Sequence, residues 1–531
     1  MARPRKKPKL SSPALIESKI GGAISSTKAT PEKPTSIEEI PQKGKIHQLM
    51  QGAHVPGISI AMIDNGKIYS SVLGVSDIES KEAVAPDTVF WACSLSKPVF
   101  AYLIIKMIEN KELSKDFLDR PLPWDETYLG PQGDKKPLTP RMILSHRTGL
   151  PNGQTGPLPL DFKFKPDEGF RYSGEGFKYL QRCITQKQSL QELAQKNLFG
   201  PLGMNHSSFL YPGKVDHATT HDETMIPNPS PKGYGNDDHA AASLHTTAYD
   251  YSLFLIDFLK NKNNKTYLDL TKPQVPDMEK DVDAKDKKVA PKTLKPINWG
   301  LGFGLQTNDK GEPITAFHWG EGPGERNFFA IHLEGPSSAF VYFANSNNGL
   351  SIPEELASLT TEKDISSIIK FLYEKEGYEK SSTQEWKKYF ESLLAGTDAE
   401  KKGHFSKAIA LYQQAFDIKP NNKLNHRIKW IEAKMRPQKP SSVSEQKLKE
   451  LEGTYGPIKI LMKDSKLQID MGQLQDITTV DENTFLDENM KVILTFTRDQ
   501  TGSVTSLECH FPWGEKEAYS HSPPPPQLKH T

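Results

Sequence analysis

Apolar and polar residues first fall into a regular pattern at Pro56. The run PGISIAMI is followed by the turn signal Asp64-Asn65-Gly66 and by a second run, KIYSSVLGV. Two runs that favour β-strands and flank an Asn-Gly pair are typical of a β-hairpin. The pattern therefore predicts a hairpin over these residues.

Helical spacing follows from residue 94 to about residue 113. Apolar residues recur there three or four positions apart, as in Phe100, Ile104, Met107 and Ile108, which predicts a helix with one buried stripe. Strands, helices and stretches rich in Pro and Gly then alternate to about residue 375. We expect one large mixed domain, α/β in the broad sense that includes α+β, over residues 45–378.

The composition turns helical over residues 379–437. The spacing of small and aromatic residues resembles a single tetratricopeptide repeat, in which small residues lie where paired helices approach closely: Gly396, Ala408, Tyr412, Ala415 and Pro420. Arrays of such repeats need about three copies to be stable, and one is visible. We predict a helical hairpin that packs on a neighbouring domain as a spacer, with binding of a protein partner as the alternative.

Alternating apolar residues return over residues 443–521, in short runs such as KVILTFT and VTSLEC. This pattern predicts a small, barrel-like antiparallel β domain. Residues 1–44 are rich in Lys, Pro, Ser and Thr, and residues 522–531 are rich in Pro. Both segments have too few apolar side chains to offset the entropy of ordering the backbone, so we predict flexible tails.

Composition and charge narrow the function classes. The 531-residue chain has 67 Lys and Arg against 66 Asp and Glu, a formal charge of +1, so we expect no nucleic-acid partner. No apolar run approaches the roughly 18 residues of a membrane span, and no apolar stretch follows the basic N-terminal residues as in a secretory signal. We therefore expect a cytoplasmic protein, unless export uses a route without such a signal.

The sharpest chemical feature is Ser94 with Lys97 three positions later. At the start of a helix, this spacing places both side chains on nearly the same face. A lysine withdrawn from water has a lowered pKa and can remove the proton of a serine hydroxyl. The N-terminus of the helix adds backbone N–H groups that stabilise an oxyanion. The pair therefore predicts a serine nucleophile with a lysine base.

Spacing alone does not identify such a site. Ser25 with Lys28 and Ser444 with Lys447 have the same spacing. What distinguishes Ser94 is its context, because a predicted hairpin precedes it and a long amphipathic helix follows it.

Further strings along residues 45–375 extend this context. They are VPGISIAMIDNGKIYSSVLGV, TVFWACSLSKPVF, MILSHRTGLPN, FRYSGEGF, AAASLHTTAYDYSLFL, INWGLGFGL and FHWGEGPG. In this order they resemble the serine β-lactamase and penicillin-binding family, especially class C β-lactamases, family VIII esterases and D-amino-acid-releasing peptidases. The last domain resembles the small β-barrel extension often fused to such hydrolases.

The resemblance implies an antiparallel sheet flanked by helices and acyl transfer to a serine. Ser94 matches the acylated serine, Lys97 its partner, and Tyr172 the tyrosine of the family's Tyr-x-Asn element. A phenol held among cations exchanges protons with the serine and the leaving group. Whether Lys97 or Tyr172 is the main base stays open.

The resemblance also implies the wall of the site. His318, Trp319 and Gly320 fall on the family's Lys/His-Thr-Gly strand. His318 would tune the charge near the tyrosine and contact the leaving group. The backbone N–H groups of Ser94 and Glu321 would form the oxyanion hole.

Two departures from the family pattern bear on the substrate. Gly174 stands where Asn is usual, and Trp319 replaces a hydroxylated residue that binds the carboxylate of β-lactams and peptide C-termini. A site without that donor binds such a carboxylate poorly, whereas an ester with an apolar leaving part tolerates an indole wall. We therefore expect a small-molecule or short-peptide substrate, with esterase or D-amino-acid peptidase activity favoured over true β-lactamase activity.

Neither a metal nor a cofactor is expected. His217 and His221 are four residues apart, but the threonines between them disfavour a helix and no third ligand is placed. We expect His146 to be structural and Cys93 to be a small core residue.

The alternative to an enzyme is a scaffold that keeps the fold without the catalysis. Gly174 and Trp319 are compatible with decay of the site, and the helical segment 379–437 would then bind a protein partner.

Overall fold

The computed structural model describes residues 38–522, apart from gaps at 79, 155, 212–216, 224, 226, 229–236, 378–383, 421, 437–442, 465, 472–473 and 513–515. The predicted tails therefore lie mostly outside the described residues. The boundary of the first tail at residue 44 is wrong, because Ile40 is buried and the carbonyl of Glu38 accepts a hydrogen bond from the Ser70 N–H. The second tail begins one residue later than predicted, since the last strand ends at Ser522.

The first part of the chain is built on an antiparallel sheet. Its strands and a short two-stranded ladder comprise β1 Gly57–Asp64, β2 Lys67–Gly74, β3 Phe90–Trp91, β4 His245–Thr246, β5 Ile297–Trp299, β6 Gly304–Thr307, β7 Pro313–Gly322, β8 Glu325–His332 and β9 Ser338–Ala344. The sheet order is β2-β1-β9-β8-β7-β6-β5, and β3 pairs with β4. The predicted hairpin is confirmed as β1 and β2, which pair from Gly57–Gly74 to Asp64–Lys67.

Helices cover both faces of this sheet. They are α1 Lys43–Gly52, α2 Ser96–Glu109, α3 Glu126–Leu129, α4 Pro140–Leu144, α5 Gly174–Ile184, α6 Leu190–Ala194, α7 Gly200–Leu202, α8 Ala248–Asn261, α9 Leu268–Thr271, α10 Val282–Asp286, α11 Pro291–Leu294, α12 Pro353–Thr360 and α13 Ser366–Glu376. No helix in the described part of the chain has the length and apolar character needed to cross a bilayer.

Alternation along the central strands divides the core into two apolar clusters. Val341 and Phe343 of β9 face one cluster, with α2 and α8, whereas Phe340 and Tyr342 face the other. Because successive side chains of a strand point to opposite faces, a sheet covered on both faces has apolar residues at every position. The helices α2 and α8 are thus packed on a sheet with no solvated face at its centre.

The single buried stripe predicted for α2 is wrong. All of its residues from Ser96 to Ile108 are buried except Lys106. A helix that is apolar on every side belongs inside a core, and α2 lies there with its first turn at the edge of the site.

Three helices follow, one more than the predicted hairpin. They are α14 Gln384–Lys401, α15 Phe405–Ile418 and α16 Asn422–Met435. A side chain at Gly396 of α14 would lie 2.6 Å from the Tyr412 ring of α15, so the small residue does permit close approach. The likeness to a tetratricopeptide repeat stays a prediction.

These helices pack against two other parts of the chain, one before them and one after them in the sequence. The Phe390 ring stacks on His54 at 4.2 Å between centroids. The helices share an apolar cluster with Val480, Leu486 and Ile493 of the last β region. Their buried faces are therefore occupied within the chain, as a spacer requires.

The C-terminal region is a second antiparallel sheet preceded by the short helix α17 Glu445–Lys449. Its strands are β10 Gly453–Tyr455, β11 Ile458–Lys463, β12 Lys466–Asp470, β13 Leu474–Asp476, β14 Thr478–Thr479, β15 Thr484–Asp487, β16 Val492–Arg498, β17 Val504–His510 and β18 Lys516–Ser522. The sheet order is β13-β12-β11-β10-β18-β17-β16-β15-β14. Its two edge strands are joined through Ile477, so the sheet curls into a near-barrel, in agreement with the predicted antiparallel β domain.

Candidate active site

Ser94 lies in a sharp turn between β3 and α2. Cys93 has a left-handed backbone with φ 51°, and a 3₁₀ turn spans Cys93–Leu95 before α2 starts at Ser96. The sequence predicts that Ser94 begins the helix. In the structure, Ser94 precedes the helix. A left-handed non-glycine residue is costly and is retained where a sharp turn is needed. The Ser94 side chain is half-buried at the rim of two cavities.

Strand β8 holds the chain just before this turn. The carboxyl group of Glu325 accepts a hydrogen bond from the Trp91 N–H at 3.3 Å, and the Asn327 side chain donates to the Trp91 carbonyl at 3.0 Å. Burial raises the pKa of Glu325 well above its usual range, which favours the neutral acid. The turn is therefore anchored to the sheet by two fully buried side chains.

Strand β7 approaches the same turn from the other side. A side chain at Gly320 would overlap the carbonyl oxygen of Ala92 and lie 3.1 Å from Leu95. Only glycine permits this approach, which sets the strand that carries Glu321 beside the backbone of Ser94. The oxyanion hole formed by the Ser94 and Glu321 N–H groups stays a prediction.

Lys97 is 1% exposed. Its Nζ lies 3.1 Å from Ser94 Oγ and donates a hydrogen bond to the Ala241 carbonyl at 2.9 Å. Among the described residues, no carboxylate is within ion-pair distance of this amine. Burial lowers the pKa of Lys97 to about 7, because removal from water disfavours the charged form. A large fraction of Lys97 is thus a neutral amine near neutral pH.

Tyr172 covers the amine, with its ring centroid 4.7 Å from Lys97 Nζ. The Tyr172 hydroxyl lies 3.4 Å from His318 Nε2, and His318 Nδ1 lies 2.7 Å from the Trp319 carbonyl. A carbonyl accepts only, so Nδ1 carries the proton and Nε2 accepts from the Tyr172 hydroxyl. Burial lowers the pKa of His318 to about 3. His318 is therefore neutral and accepts a hydrogen bond from the Tyr172 hydroxyl.

Two further rings fix the orientation of Tyr172. The His146 ring stacks on it at 4.4 Å between centroids, and Trp319 stacks at 5.9 Å. His146 Nδ1 also accepts a hydrogen bond from the Ser173 N–H at 3.0 Å. The structural role expected of His146 is thus a specific one, since it orients the tyrosine and the chain beside it.

Two cavities meet at Ser94. The larger, of about 970 Å³, extends past Gly174 and has charged walls made by Glu175, Lys178, Arg182, Asp237 and Asp238. The smaller, of about 560 Å³, is lined by Tyr172, Trp319, Asp283, Asp286, Lys287 and Lys375. Trp319 and Tyr172 give the smaller cavity an aromatic wall, but charged groups of both signs surround it. The walls suit a polar substrate better than the apolar leaving part expected from the sequence.

The remaining predicted site residues fall in different positions. Trp319 and Glu321 line the smaller cavity, and Gly174 lines the larger one. His318 is fully buried behind Tyr172 and lines neither cavity, so the expected contact between His318 and a leaving group is wrong. Gly320 touches the turn instead of a cavity.

Among the described residues, His217 and His221 are not grouped with further side chains that could bind a metal ion. His221 is buried, with Nδ1 2.9 Å from the Asn345 carbonyl and Nε2 accepting from the Ile78 N–H at 3.3 Å. Over the described ranges, no group of three His, Cys, Asp or Glu residues is placed to hold a metal ion.

Comparison with known proteins decides the family. A family model described as Beta-lactamase matches residues 43–362, more than half of the chain. This chain belongs to the beta-lactamase family.

Two relatives are similar to part of this beta-lactamase-family chain. "Protein flp" of Staphylococcus aureus (strain NCTC 8325 / PS 47) is 26% identical over 184 residues, 31% of this chain and 36% of that protein. "Unguisins hydrolase ungD" of Aspergillus violaceofuscus (strain CBS 115571) is 24% identical over 193 residues, 31% of this chain and 33% of that protein. The matches thus span about a third of the length of these curated relatives.

Solved structures resemble the fold. A penicillin-binding protein homologue from Pyrococcus abyssi has 17% identity and a TM-score of 0.46, covering 90% of this chain and 99% of its own. EstCE1, described as a hydrolase with promiscuous acyltransferase activity, has 19% identity and a TM-score of 0.46, covering 58% and 93%. A class C beta-lactamase has 16% identity and a TM-score of 0.47, covering 62% and 93%.

Sequence reasoning missed three groups in this beta-lactamase-family site. They are the Ala241 carbonyl that binds Lys97, the Glu325 carboxyl that holds the turn, and Asn152, which lines both cavities. A backbone carbonyl leaves no signal in a sequence. Asn152 and Glu325 do lie within or just beyond the quoted strings MILSHRTGLPN and FHWGEGPG, which is the signal that could have drawn attention to them.

Proposed function

We propose that this chain is a serine hydrolase that forms an acyl-enzyme on Ser94 from an ester or amide substrate. The observation that carries the proposal is the 3.1 Å contact between Lys97 Nζ and Ser94 Oγ, with Lys97 buried and its pKa lowered to about 7. A neutral amine at this distance is a competent general base for a hydroxyl. Beta-lactamase family membership supports the same chemistry.

Acylation transfers one proton and exchanges one bond at the substrate carbonyl. Lys97 takes the Ser94 hydroxyl proton while Oγ attacks the carbonyl carbon, and the backbone N–H groups of Ser94 and Glu321 stabilise the oxyanion. Collapse of the tetrahedral intermediate breaks the bond to the leaving group. The leaving group takes a proton from the Tyr172 phenol, which Lys97 restores to the phenolate. Water then attacks the acyl-enzyme and releases the acid and Ser94.

Esterase or D-amino-acid peptidase activity is favoured over β-lactamase activity. Trp319 lacks the hydroxyl group that the family uses to bind a substrate carboxylate, and its indole is nearly covered, at 6% exposure. The name of the relative unguisins hydrolase ungD is consistent with a hydrolase.

Labelling and turnover test the proposal together. Wild-type protein should react with a fluorophosphonate at residue 94 and hydrolyse short-chain p-nitrophenyl esters, whereas Ser94→Ala should lose both activities. Ser444→Ala is the matched control, because Ser444 also lies at a helix start with a lysine three positions on. Activity that survives Ser94→Ala, or a wild type without adduct or turnover, would contradict the proposal and favour the scaffold alternative.

A second comparison tests the substrate class. Nitrocefin hydrolysis should be slower than ester hydrolysis by at least about tenfold in kcat/KM, since a missing hydrogen bond to a charged group costs about 1.5–3 kcal/mol. Efficient nitrocefin turnover would overturn the preference for esters and peptides.

A further inference from the structure

Ser96 lies between Ser94 and Lys97 in the sequence and is fully buried, at 0% exposure. Its hydroxyl donates a hydrogen bond to the Cys93 carbonyl at 2.6 Å and accepts one from the Leu244 N–H at 2.9 Å. A side chain without exposed surface does not touch a substrate. The contacts of Ser96 lead instead to the peptide that joins Cys93 to Ser94.

That peptide carries the proposed oxyanion donor, because the Cys93 carbonyl and the Ser94 N–H belong to one planar trans unit. The two groups point in opposite directions, so a bond that fixes the carbonyl also fixes the N–H. The 3₁₀ turn closes its own bonds with other donors, from the Leu95 N–H to the Ala92 carbonyl and from the Ser96 N–H to the Cys93 carbonyl. Neither bond of the turn uses the Ser94 N–H.

The backbone of Leu244 holds the chain on both sides of this peptide. Its carbonyl accepts a hydrogen bond from the Ala92 N–H at 2.7 Å, and its N–H donates to the Ser96 hydroxyl. Leu244 is fully buried and directly precedes β4, which pairs with β3. The Ala241 carbonyl of the same segment binds Lys97. The peptide before Ser94 is thus attached to a strand ladder as well as to its own helix.

We propose that Ser96 is a positioning residue, whose hydroxyl holds the Ser94 N–H toward the oxyanion. The inference rests on the proposed function and adds a residue to its machinery. Hydrogen bonds in a chain polarise one another, so the bonds from the Leu244 N–H through the Ser96 hydroxyl to the Cys93 carbonyl also strengthen the Ser94 N–H as a donor. Charge develops on the substrate oxygen only in the transition state, so Ser96 contributes to the rate of acylation and not to substrate binding.

Removing the hydroxyl should slow acylation without weakening substrate binding. Ser96→Ala should lower the rate constants for acylation by a p-nitrophenyl ester and for fluorophosphonate labelling by about 10–100-fold, less than the roughly 10²–10³-fold cost of a lost oxyanion donor. The dissociation constant of the ester should change less than about twofold. Ser96→Thr keeps the hydroxyl and should recover most of the rate. Stopped-flow measurement of p-nitrophenol release gives both constants.

Ser252 offers a matched control in α8. It is fully buried, and its hydroxyl donates to the carbonyl three residues earlier, that of Tyr249, at 2.6 Å. Ser252→Ala therefore removes the same kind of bond away from Ser94 and should leave both rate constants unchanged. Equal losses of rate in Ser96→Ala and Ser252→Ala, or no loss in Ser96→Ala, would overturn the inference.

The pH dependence of acylation separates an effect on the Ser94 N–H from an effect on Lys97. Ser96→Ala should keep the wild-type profile, with the rise near pH 7 that the lowered pKa of Lys97 predicts. A profile shifted along the pH axis would mean that the variant disturbs the base, and it would contradict a role for Ser96 at the oxyanion donor.

Nuclear magnetic resonance tests the inference without turnover. Labelled carbonyl carbon in cysteine and labelled amide nitrogen in serine meet in one peptide, Cys93–Ser94, because Cys183 and Cys509 precede Ile and His. The nitrogen signal should move upfield in Ser96→Ala, since a hydrogen bond to the carbonyl draws electrons from the nitrogen of the same peptide. It should return in Ser96→Thr and stay in place in Ser252→Ala.

The two failures are then distinguishable. An unchanged nitrogen signal in Ser96→Ala would overturn the inference even if Ser94 is acylated. The expected shift in a protein that forms no acyl-enzyme would contradict the proposed function while supporting the hold of Ser96 on the Ser94 N–H.

Discussion

The segments Ser94–Lys97 and Ser444–Lys447 each place a serine three residues before a lysine near the start of a helix, and they differ in burial. Lys97 is 1% exposed, with its amine 3.1 Å from Ser94 Oγ. The Lys447 side chain is 50% exposed and pairs with Glu482 at 2.6 Å. Ser444 caps its helix by accepting a hydrogen bond from the Lys447 backbone N–H. One spacing therefore gives the proposed nucleophile and base in one place and an ordinary helix cap in the other.

A third lysine shows which part of burial matters. Lys375 is 3% exposed, yet it pairs with the buried Asp281 at 2.7 Å. A carboxylate at this distance favours the charged amine, and burial without one favours the neutral amine. Among the described residues Lys97 has the second environment, which suits the general base that we propose.

The largest expected effect separates Lys97 from Lys447. Lys97→Met should lower kcat/KM for a p-nitrophenyl ester by about 10²–10⁴-fold, the usual contribution of a general base. Lys447→Met should leave kcat/KM unchanged, because its amine contacts only a surface carboxylate. Steady-state kinetics on the purified variants measures both.

The pH profile provides the control for this prediction. The base is the neutral amine, so wild-type kcat/KM should rise with pH through about 7, the value to which burial lowers the pKa of Lys97. A profile of kcat/KM that is flat between pH 5 and 9, or equal losses in the two lysine variants, would contradict the expected difference between Lys97 and Lys447.

Removing the counter-charge of Lys375 tests the role of pairing. Asp281→Asn should lower the free energy of unfolding by about 3–5 kcal/mol, because it leaves a buried charge without its partner. Glu482→Gln breaks the exposed pair and should leave the urea midpoint unchanged. Urea denaturation of both variants gives the comparison, and a stable Asp281→Asn protein would show that Lys375 tolerates burial as Lys97 does.

The cost of burying Lys97 should appear in stability as a function of pH. Its pKa is about 7 when folded and 10.5 when unfolded, so between these values the unfolded chain binds more protons and stability rises with pH. The free energy of unfolding of Lys97→Met should exceed that of the wild type by a constant amount below pH 7. The excess should then shrink by at most about 1.4 kcal/mol per pH unit up to pH 10.5.

Urea titrations of the two proteins at several pH values check this slope, and Lys447→Met supplies the background. An excess that does not change with pH would mean that Lys97 stays charged in the folded protein.

The smallest expected effect belongs to Ser444. Ser444→Ala removes a helix cap and should lower the free energy of unfolding by about 1 kcal/mol, with kcat/KM unchanged. Thermal denaturation and ester hydrolysis measure the two quantities. A loss of activity here would mean that the C-terminal region contributes to the site.

Much of the site was predictable because its members lie in strings with local signals. Ser94 and Lys97 lie three residues apart at the start of α2, and Tyr172 precedes a capped helix start. The buried partners were not predictable in this way. Glu325 reaches Trp91 from a strand more than 200 residues later only because the register of β8 places it there.

The predictions that failed have the same physical cause. His318 was expected to contact a leaving group, but its neighbours Tyr172 and Trp319 cover it. The apolar spacing of the α2 segment predicts one buried stripe. Spacing shows where apolar residues recur, whereas burial depends on how many elements pack around the helix. A short window of sequence encodes neither the covering of His318 by its neighbours nor the packing of other elements around α2.

The sequence by itself determined the hairpin, the Ser-Leu-Ser-Lys spacing and the order of the family strings, since these depend on residues close together in the chain. Only the tertiary structure decided that burial lowers the pKa of Lys97 to about 7 and that Asn152 occupies the space beside Gly174. Proton affinity and close approach depend on what surrounds a group in space, and those surroundings come from segments far apart in the chain.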